Sequence, residues 1–346
     1  MGRPLTDRFK VSREKLAYIC DSTSAPICIL VPFNGWGAFI LGLLAVQGVE
    51  SPVALLFQSI RVNFYPMAAI VIVFLSIVRK WNLGPMKAAE LRAQHEGKLY
   101  GDDARPMVAD DVVGVKPLEG IQYRAVNLVA PVITMVVSIV VGIYVTGRLS
   151  AGEDAELWDI IKASSGSMAV LWAVIMSLVV LAALNVLKGL PFSTFVDLVF
   201  KGMGGMIPVV SLLLLAFALG DAVRQLGTGV YVAGVISGVL STKMAVIGLF
   251  LISCFVAFST GTSWGTFAVM VPIAIPMAIT LGGSTPMFLA AVLGGGVFGD
   301  HCSPISDTTI ISSMASASDH IDHVRTQIPF ATVGAAVTIV IYFIIA

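Results

Sequence analysis

The sequence predicts an all-α fold class: a polytopic membrane protein with discontinuous helices. Three observations carry this. Of the 346 residues, 57% are hydrophobic and 12% charged, about half the charged share of a soluble domain. Several apolar runs approach the roughly 20 helical residues that a hydrocarbon core of about 30 Å requires, and none shows strand alternation. Glycine, proline and short polar clusters interrupt those runs, as in helices that break around a polar site.

The elements follow in chain order. The first fifteen residues are polar and basic rather than a short apolar core, so insertion is expected to rely on internal segments. Leu16 to Val49 is too long for one plain helix and is interrupted by Ala25-Pro26, Pro32 and Asn34-Gly35-Trp36-Gly37, which predicts a broken helix or helical hairpin. A second segment runs from Val62 to Val78, with Arg61 placed to snorkel and Arg79-Lys80 closing it. Together these make a first section, 1–80. Residues 81–124 turn polar and read as a linker with one short helix near Met86 to Gln94. Spans are expected at Ala125–Thr146 and Met168–Leu187, followed by a short amphipathic stretch at the interface, Ser193–Lys201, within a section 125–204. The last section, 205–346, holds Met206–Leu219, Val230–Leu240, Met244–Phe258, Gly265–Leu281, Met287–Phe298 and Gln327–Ala346, several too short to span unaided.

The net charge is zero, 21 basic against 21 acidic side chains, so no global field favours a nucleic acid. Fourteen of the Lys and Arg precede residue 125, whereas Glu153, Asp154, Glu156 and Asp159 crowd one later loop. The positive-inside rule then puts the N-terminus and the 81–124 linker in the cytoplasm. Cys20, Cys28, Cys254 and Cys302 lack CxxC or ligand spacing and are expected to be free thiols.

Chemistry concentrates in Gly299-Asp300-His301-Cys302-Ser303-Pro304-Ile305-Ser306-Asp307-Thr308-Thr309. Two carboxylates at membrane depth are costly unless they meet water, a cation or a polar partner. Gly294-Gly295-Gly296 and Pro304 allow a helix break that frees carbonyl oxygens. Hard oxygen ligands from Asp300, Ser303, Ser306, Asp307, Thr308 and Thr309 suit a hard monovalent cation. The same carboxylate can bind a proton instead, so Na⁺ and H⁺ would compete for one group. The plainer reading is that the Asp residues cap helix starts and the hydroxyls pack helices. His301 is a candidate proton relay, or an interfacial hydrogen-bonding histidine.

A second cluster, Phe258-Ser259-Thr260-Gly261-Thr262-Ser263-Trp264-Gly265-Thr266, followed by Pro272 and Pro276, combines unwinding with coordinating oxygens, with Thr262 and Ser263 as candidate ligands; an ordinary Ser/Thr/Gly turn is its alternative. A third, Asp21-Ser22-Thr23-Ser24-Ala25-Pro26, adds Asp21, Ser22 and Thr23. The shared x-Trp-Gly-x-Phe pattern at Trp36 and Trp264 hints at internal repetition. Asp319-His320-Ile321-Asp322-His323 has metal-like content but reads as solvated connector. There is no HExxH motif, no nucleophile with its base and no phosphate loop, so an enzyme is not expected.

The Phe298–Thr309 string, with Thr260–Thr266 and Asp21–Pro26, resembles the NhaC-type sodium/proton antiporter family. The resemblance covers essentially the whole chain. It implies an inverted-repeat transporter with re-entrant hairpins in the plasma (inner) membrane, usually a homodimer, in which 1–80 ends the first repeat and 205–346 is the second transport repeat. It also implies exchange of Na⁺ or Li⁺ for H⁺, with Asp300 and Asp307 as exchanging carboxylates and no cofactor or metal beyond the transported ion. Coupled exchange of an organic solute, such as a dicarboxylate or an amino acid, is the alternative. Family members usually carry a further N-terminal half-repeat with a Phe-Asp-Asp-type motif, and none precedes Arg3-Pro4-Leu5 here; a fragment or a non-transporting subunit is therefore a further expectation.

Overall fold

The computed structural model describes residues 3–106, 126–152, 155–227, 230–231, 234–235 and 241–346. The described residues are helical, with one isolated β-bridge between Pro106 and Asp319. In chain order the helices are α1 (Arg3–Arg8), α2 (Arg13–Ser22), α3 (Ala25–Leu30), α4 (Gly35–Val46), α5 (Pro52–Ile60), α6 (Phe64–Val78), α7 (Pro85–Glu96), α8 (Val126–Ala151), α9 (Leu157–Ala163), α10 (Gly166–Val186) and α11 (Phe192–Gln225). After them come α12 (Thr242–Thr260), α13 (Ser263–Thr280), α14 (Thr285–Cys302), α15 (Asp307–Ser316) and α16 (His320–Ile345). Among the described residues five are long and apolar enough to cross a membrane: Val129–Ala151 within α8, and α10, α12, α13 and α16. Arg13–Leu30 with Gly35–Val46, and Pro52–Ile60 with Phe64–Val78, meet the same test as interrupted pairs.

The predicted break in the first apolar stretch is present as α2, α3 and α4. Ser12 starts α2 by accepting from the Lys15 amide, and Asn34 starts α4 by accepting from the amides of Trp36 and Gly37. Thr262 does the same for α13 through the Gly265 amide, so the two Trp-Gly echoes share a local task, opening a helix with a polar cap. The linker helix lies where expected, as α7, closed by Gly97 in the left-handed region at φ 74°. One expectation is corrected: the interfacial stretch Ser193–Lys201 and the segment Met206–Leu219 are parts of the single helix α11. The three glycines between them, Gly202, Gly204 and Gly205, cost only about 1 kcal/mol each relative to Ala and do not stop the helix. Val230–Leu240 lies largely outside the described residues, as does 107–125 of the linker.

Two compact units are present. The first comprises Met1–Leu30, Ser59–Gly114 and Val223–Ala346, the second Val31–Gln58 and Val115–Ala222. In the second, α8 packs on α10 because Gly142 brings its backbone against Ala169, where a Cβ would sit 2.8 Å from the Ala169 Cα. Val53, Ile139, Ile143, Ala169 and Ala173 form its core, while Val129, Ile133, Val137 and Val141 of α8 stay exposed, the apolar surface a lipid-facing helix needs.

The first unit is organised around α14. Its residues Phe288 to Leu293 are essentially inaccessible, and its glycines let neighbours approach. A Cβ at Gly295 would fall 2.4 Å from the Phe250 carbonyl oxygen, and one at Gly299 2.4 Å from the Cys254 carbonyl oxygen, both on α12. On other faces, one at Gly296 would meet the Phe267 ring at 2.4 Å and one at Gly294 the Asn63 Oδ1 at 2.8 Å. The Gly-rich run is thus a packing device that seats α14 among α6, α12 and α13.

Candidate functional site

The site forms in the first unit where α14 ends and α15 begins. The chain between them, Ser303–Ser306, is not helical, and its neighbour is the second break: Gly261, at φ 67°, turns left-handed between α12 and α13 and packs against Ile305, whose carbonyl oxygen a Cβ would meet at 2.7 Å. Any side chain there meets both a strained backbone and a blocking neighbour, so glycine is required.

Asp300 is fully buried. Its Oδ1 accepts from the Ser306 hydroxyl at 2.8 Å, and its Oδ2 from those of Thr308 at 3.1 Å and Ser263 at 3.5 Å. Ser306 and Thr308 also touch each other at 3.0 Å, and the Ser306 Oγ accepts from the Thr309 amide as the cap of α15. Capping and carboxylate contact are therefore made by the same hydroxyl.

Asp21, at the end of α2, is the second buried carboxylate and is fully inaccessible. Its Oδ2 accepts from the Gln327 amide at 2.6 Å and the Thr309 hydroxyl at 3.2 Å, and its Oδ1 from Ser312 at 3.4 Å. The Thr309 hydroxyl also lies 3.3 Å from the Asp300 carbonyl oxygen, and the Gln327 amide 2.7 Å from that of His301. Thr309 and Gln327 thus tie the first polar cluster of the chain to the last.

Among the described residues no Lys or Arg makes an ion pair with Asp21 or Asp300; the pairs present involve other groups. A buried carboxylate satisfied only by neutral donors still lacks a counter-charge. Either a small cation or a proton would supply it.

Of the remaining sequence candidates, Asp307 is exposed at the first position of α15, its Oδ1 accepting from the Thr308 amide at 2.9 Å. Thr309 links the Asp300 carbonyl oxygen to the buried Asp21 carboxylate, whereas Asp307 is exposed. Ser303 is buried and accepts from the Ile305 amide at 3.4 Å. Ser22 is buried, whereas Thr23 donates back to the Ile19 carbonyl at 2.6 Å. Thr262 caps α13. His301 is buried with Nδ1 3.1 Å from the Tyr65 hydroxyl, and its Nε2 has no protein partner. Gln327, Ser312 and Tyr65 were not singled out from sequence. A lone Gln within an apolar span is the signal that could have found the first of them.

Apolar helices broken about buried carboxylates and hydroxyls define an integral multi-pass membrane protein. The chain belongs to the Na⁺/H⁺ antiporter family, which matches residues 17–346. It is 32% identical over 356 aligned positions to an uncharacterised protein of Haemophilus influenzae, with 100% of this chain and 66% of that protein covered. It is also 32% identical over 95 residues to the malate-2H⁺/Na⁺-lactate antiporter of Bacillus subtilis, covering 28% of this chain and 20% of the other. The chain thus spans less than two thirds of the length of these relatives. A solved structure, the YdaH transporter of Alcanivorax borkumensis, aligns over 97% of this chain and 83% of its own at 11% identity and a TM-score of 0.46.

Proposed function

We propose that the protein is a secondary transporter exchanging Na⁺ or Li⁺ for H⁺, with Asp300 as the exchanging carboxylate and Asp21 as its buried partner. The observation that carries this is a fully inaccessible Asp300 held by three hydroxyls and, among the described residues, by no Lys or Arg side chain. Oxygen atoms of Asp300, Ser263, Ser306 and Thr308 replace part of a small cation's hydration shell. When the cation leaves, a proton takes the charge, and only one of the two is held at a time. The breaks at Gly261 and at Ser303–Ser306 are the points where an alternating-access motion exposes the site. An inverted repeat, a homodimer, the plasma membrane and a cytoplasmic N-terminus belong to the same proposal, the last from the Lys and Arg distribution.

Exchange coupled to an organic acid is the second reading, favoured by the similarity to a malate-2H⁺/Na⁺-lactate antiporter. Collapse of an imposed pH gradient in proteoliposomes separates the two. Under the first reading, Na⁺ or Li⁺ alone dissipates the gradient and Asp300→Asn abolishes the response. A response to lactate or malate, with none to cations alone, sinks cation exchange and selects the second.

A further inference from the structure

His320 and His323 stand three residues apart at the start of α16 and so share a face. Both turn to one hydroxyl: Ser313 Oγ of α15 lies 3.0 Å from the His320 Nδ1 and 2.8 Å from the His323 Nδ1. Each ring's other nitrogen meets an oxygen that can only accept. His320 Nε2 is 2.6 Å from the Pro304 carbonyl oxygen. His323 Nε2 is 3.0 Å from the Gln327 Oε1, an amide whose orientation is fixed because its nitrogen donates to Asp21 and to the His301 carbonyl.

Both Nε2 atoms therefore carry hydrogen. A neutral imidazole has one N–H, so two neutral rings would present two bare Nδ1 lone pairs to Ser313. The hydroxyl has a single hydrogen and a third acceptor, the Thr309 carbonyl oxygen at 2.8 Å. It can satisfy at most one ring, and the other must donate to the Ser313 oxygen. We propose that His320 and His323 form a proton-binding site of their own, closed by Ser313, that holds at least one proton more than two neutral rings carry.

Burial decides where the charge sits. His323 is inaccessible whereas His320 is partly exposed, so the charge is cheaper on His320, with Ser313 donating to a neutral His323. The charged and titratable groups around the pair are Asp21 on α2 and His301 on α14 beside His323, Asp319 beside His320, and Asp322 with its neighbours Arg92 of α7 and Arg325 at the head of α16. Release of the proton sets the two Nδ1 lone pairs against one oxygen and loosens the chain of contacts that runs through Gln327 to Asp21. The site is separate from exchange at Asp300 and stands or falls independently of it.

The test is nitrogen-detected magnetic resonance on the full chain in lipid bilayers with labelled histidine, of which the sequence has only four. As pH is raised, one ring of the pair should lose its second N–H, and the Nδ1 signal of the other should shift in the same step. In Ser313→Ala that coupling disappears, and Ser313→Thr, which keeps the hydroxyl, retains it. If Ser313→Ala does not fold, His320→Asn puts the same question, since His323 should then show no titration-linked shift. Two rings titrating independently in the unaltered chain, or both Nδ1 atoms unprotonated throughout, overturns the proposal.

Discussion

Replacing Gly295 with Ala tests the packing that positions the site. The new Cβ would lie 2.4 Å from the Phe250 carbonyl oxygen, 2.8 Å from the Ser253 Cβ and 3.2 Å from the Cys254 nitrogen, where ordinary contact begins at 3.4 Å. Two of these three neighbours are backbone and cannot rotate away. Helices α12 and α14 must therefore part locally by about 1 Å, an overpacking that costs about 1–3 kcal/mol. Alanine recovers about 0.5–1 kcal/mol of helix propensity, leaving a net loss centred on about 1 kcal/mol, roughly five- to tenfold in the folding equilibrium. Gly248→Ala, also on α12 but with nothing within 4 Å of its Cβ, keeps only the propensity gain. Unfolding by titrated SDS in mixed micelles should place Gly295→Ala below the parent and Gly248→Ala at or above it. Equal midpoints for the two variants would refute the account of close helix approach.

Two further perturbations have worked expectations. Asp319 caps α16 through the Ile321 and Asp322 amides and accepts from the Arg105 amide; Asp319→Ala should cost about 0.5–2 kcal/mol at neutral pH. Partial burial opposes its charge, but those three amides outweigh it and hold the carboxyl below its usual range. Because the folded value is depressed, the stabilisation is complete above the unfolded value of about 3.9 and is lost as pH falls through the folded one. Acid unfolding curves of parent and variant should therefore converge below about pH 4, and a constant gap would contradict the assignment. Glu90 of α7 accepts from the Ser12 amide and hydroxyl, each at 2.8 Å, and lies 3.7 Å from the buried Lys15 ammonium. Lys15 keeps the Ser76 carbonyl and the Asn82 Oδ1 as acceptors, so Glu90→Ala should cost about 1–3 kcal/mol, chiefly by leaving the buried Ser12 groups without their acceptor. This is read as faster proteolysis within 81–106; unchanged cleavage would show that α7 is held by other contacts.

Much of this organisation is legible in local sequence because its causes are local. Composition and run length set the helical membrane class, Ser12, Asn34 and Thr262 mark helix starts, and Pro304 with Gly261 marks the breaks. The α11 correction shows the limit of such reading, since glycine weakens a helix without specifying where it ends. Asp300, Ser306, Thr308 and Thr309 are legible as a site because they fall within one short string. Asp21 is legible as a polar residue in an apolar run, but not as the carboxylate that the Thr309 hydroxyl contacts, a pairing across 288 positions. Asp307 looks equivalent to Asp300 in sequence. One turn of backbone separates them in fact: Asp300 ends α14 facing inward, and Asp307 opens α15 facing out. Gln327 and Ser313 escaped notice because single polar residues at helix ends have many ordinary uses, and only the fold brings them to Asp21 and the histidines.

The central claim is that one buried carboxylate holds either a cation or a proton, and proton release on Na⁺ binding tests it without requiring complete transport. Purified protein in a weakly buffered detergent solution is mixed with NaCl, against choline chloride as control, and the protons set free are counted with a pH indicator. The account predicts sodium-specific release of about one proton per chain near the midpoint of the site's titration, absent in Asp300→Asn and retained in Asp307→Asn. No release from the unaltered chain, or release that survives in Asp300→Asn, would contradict it.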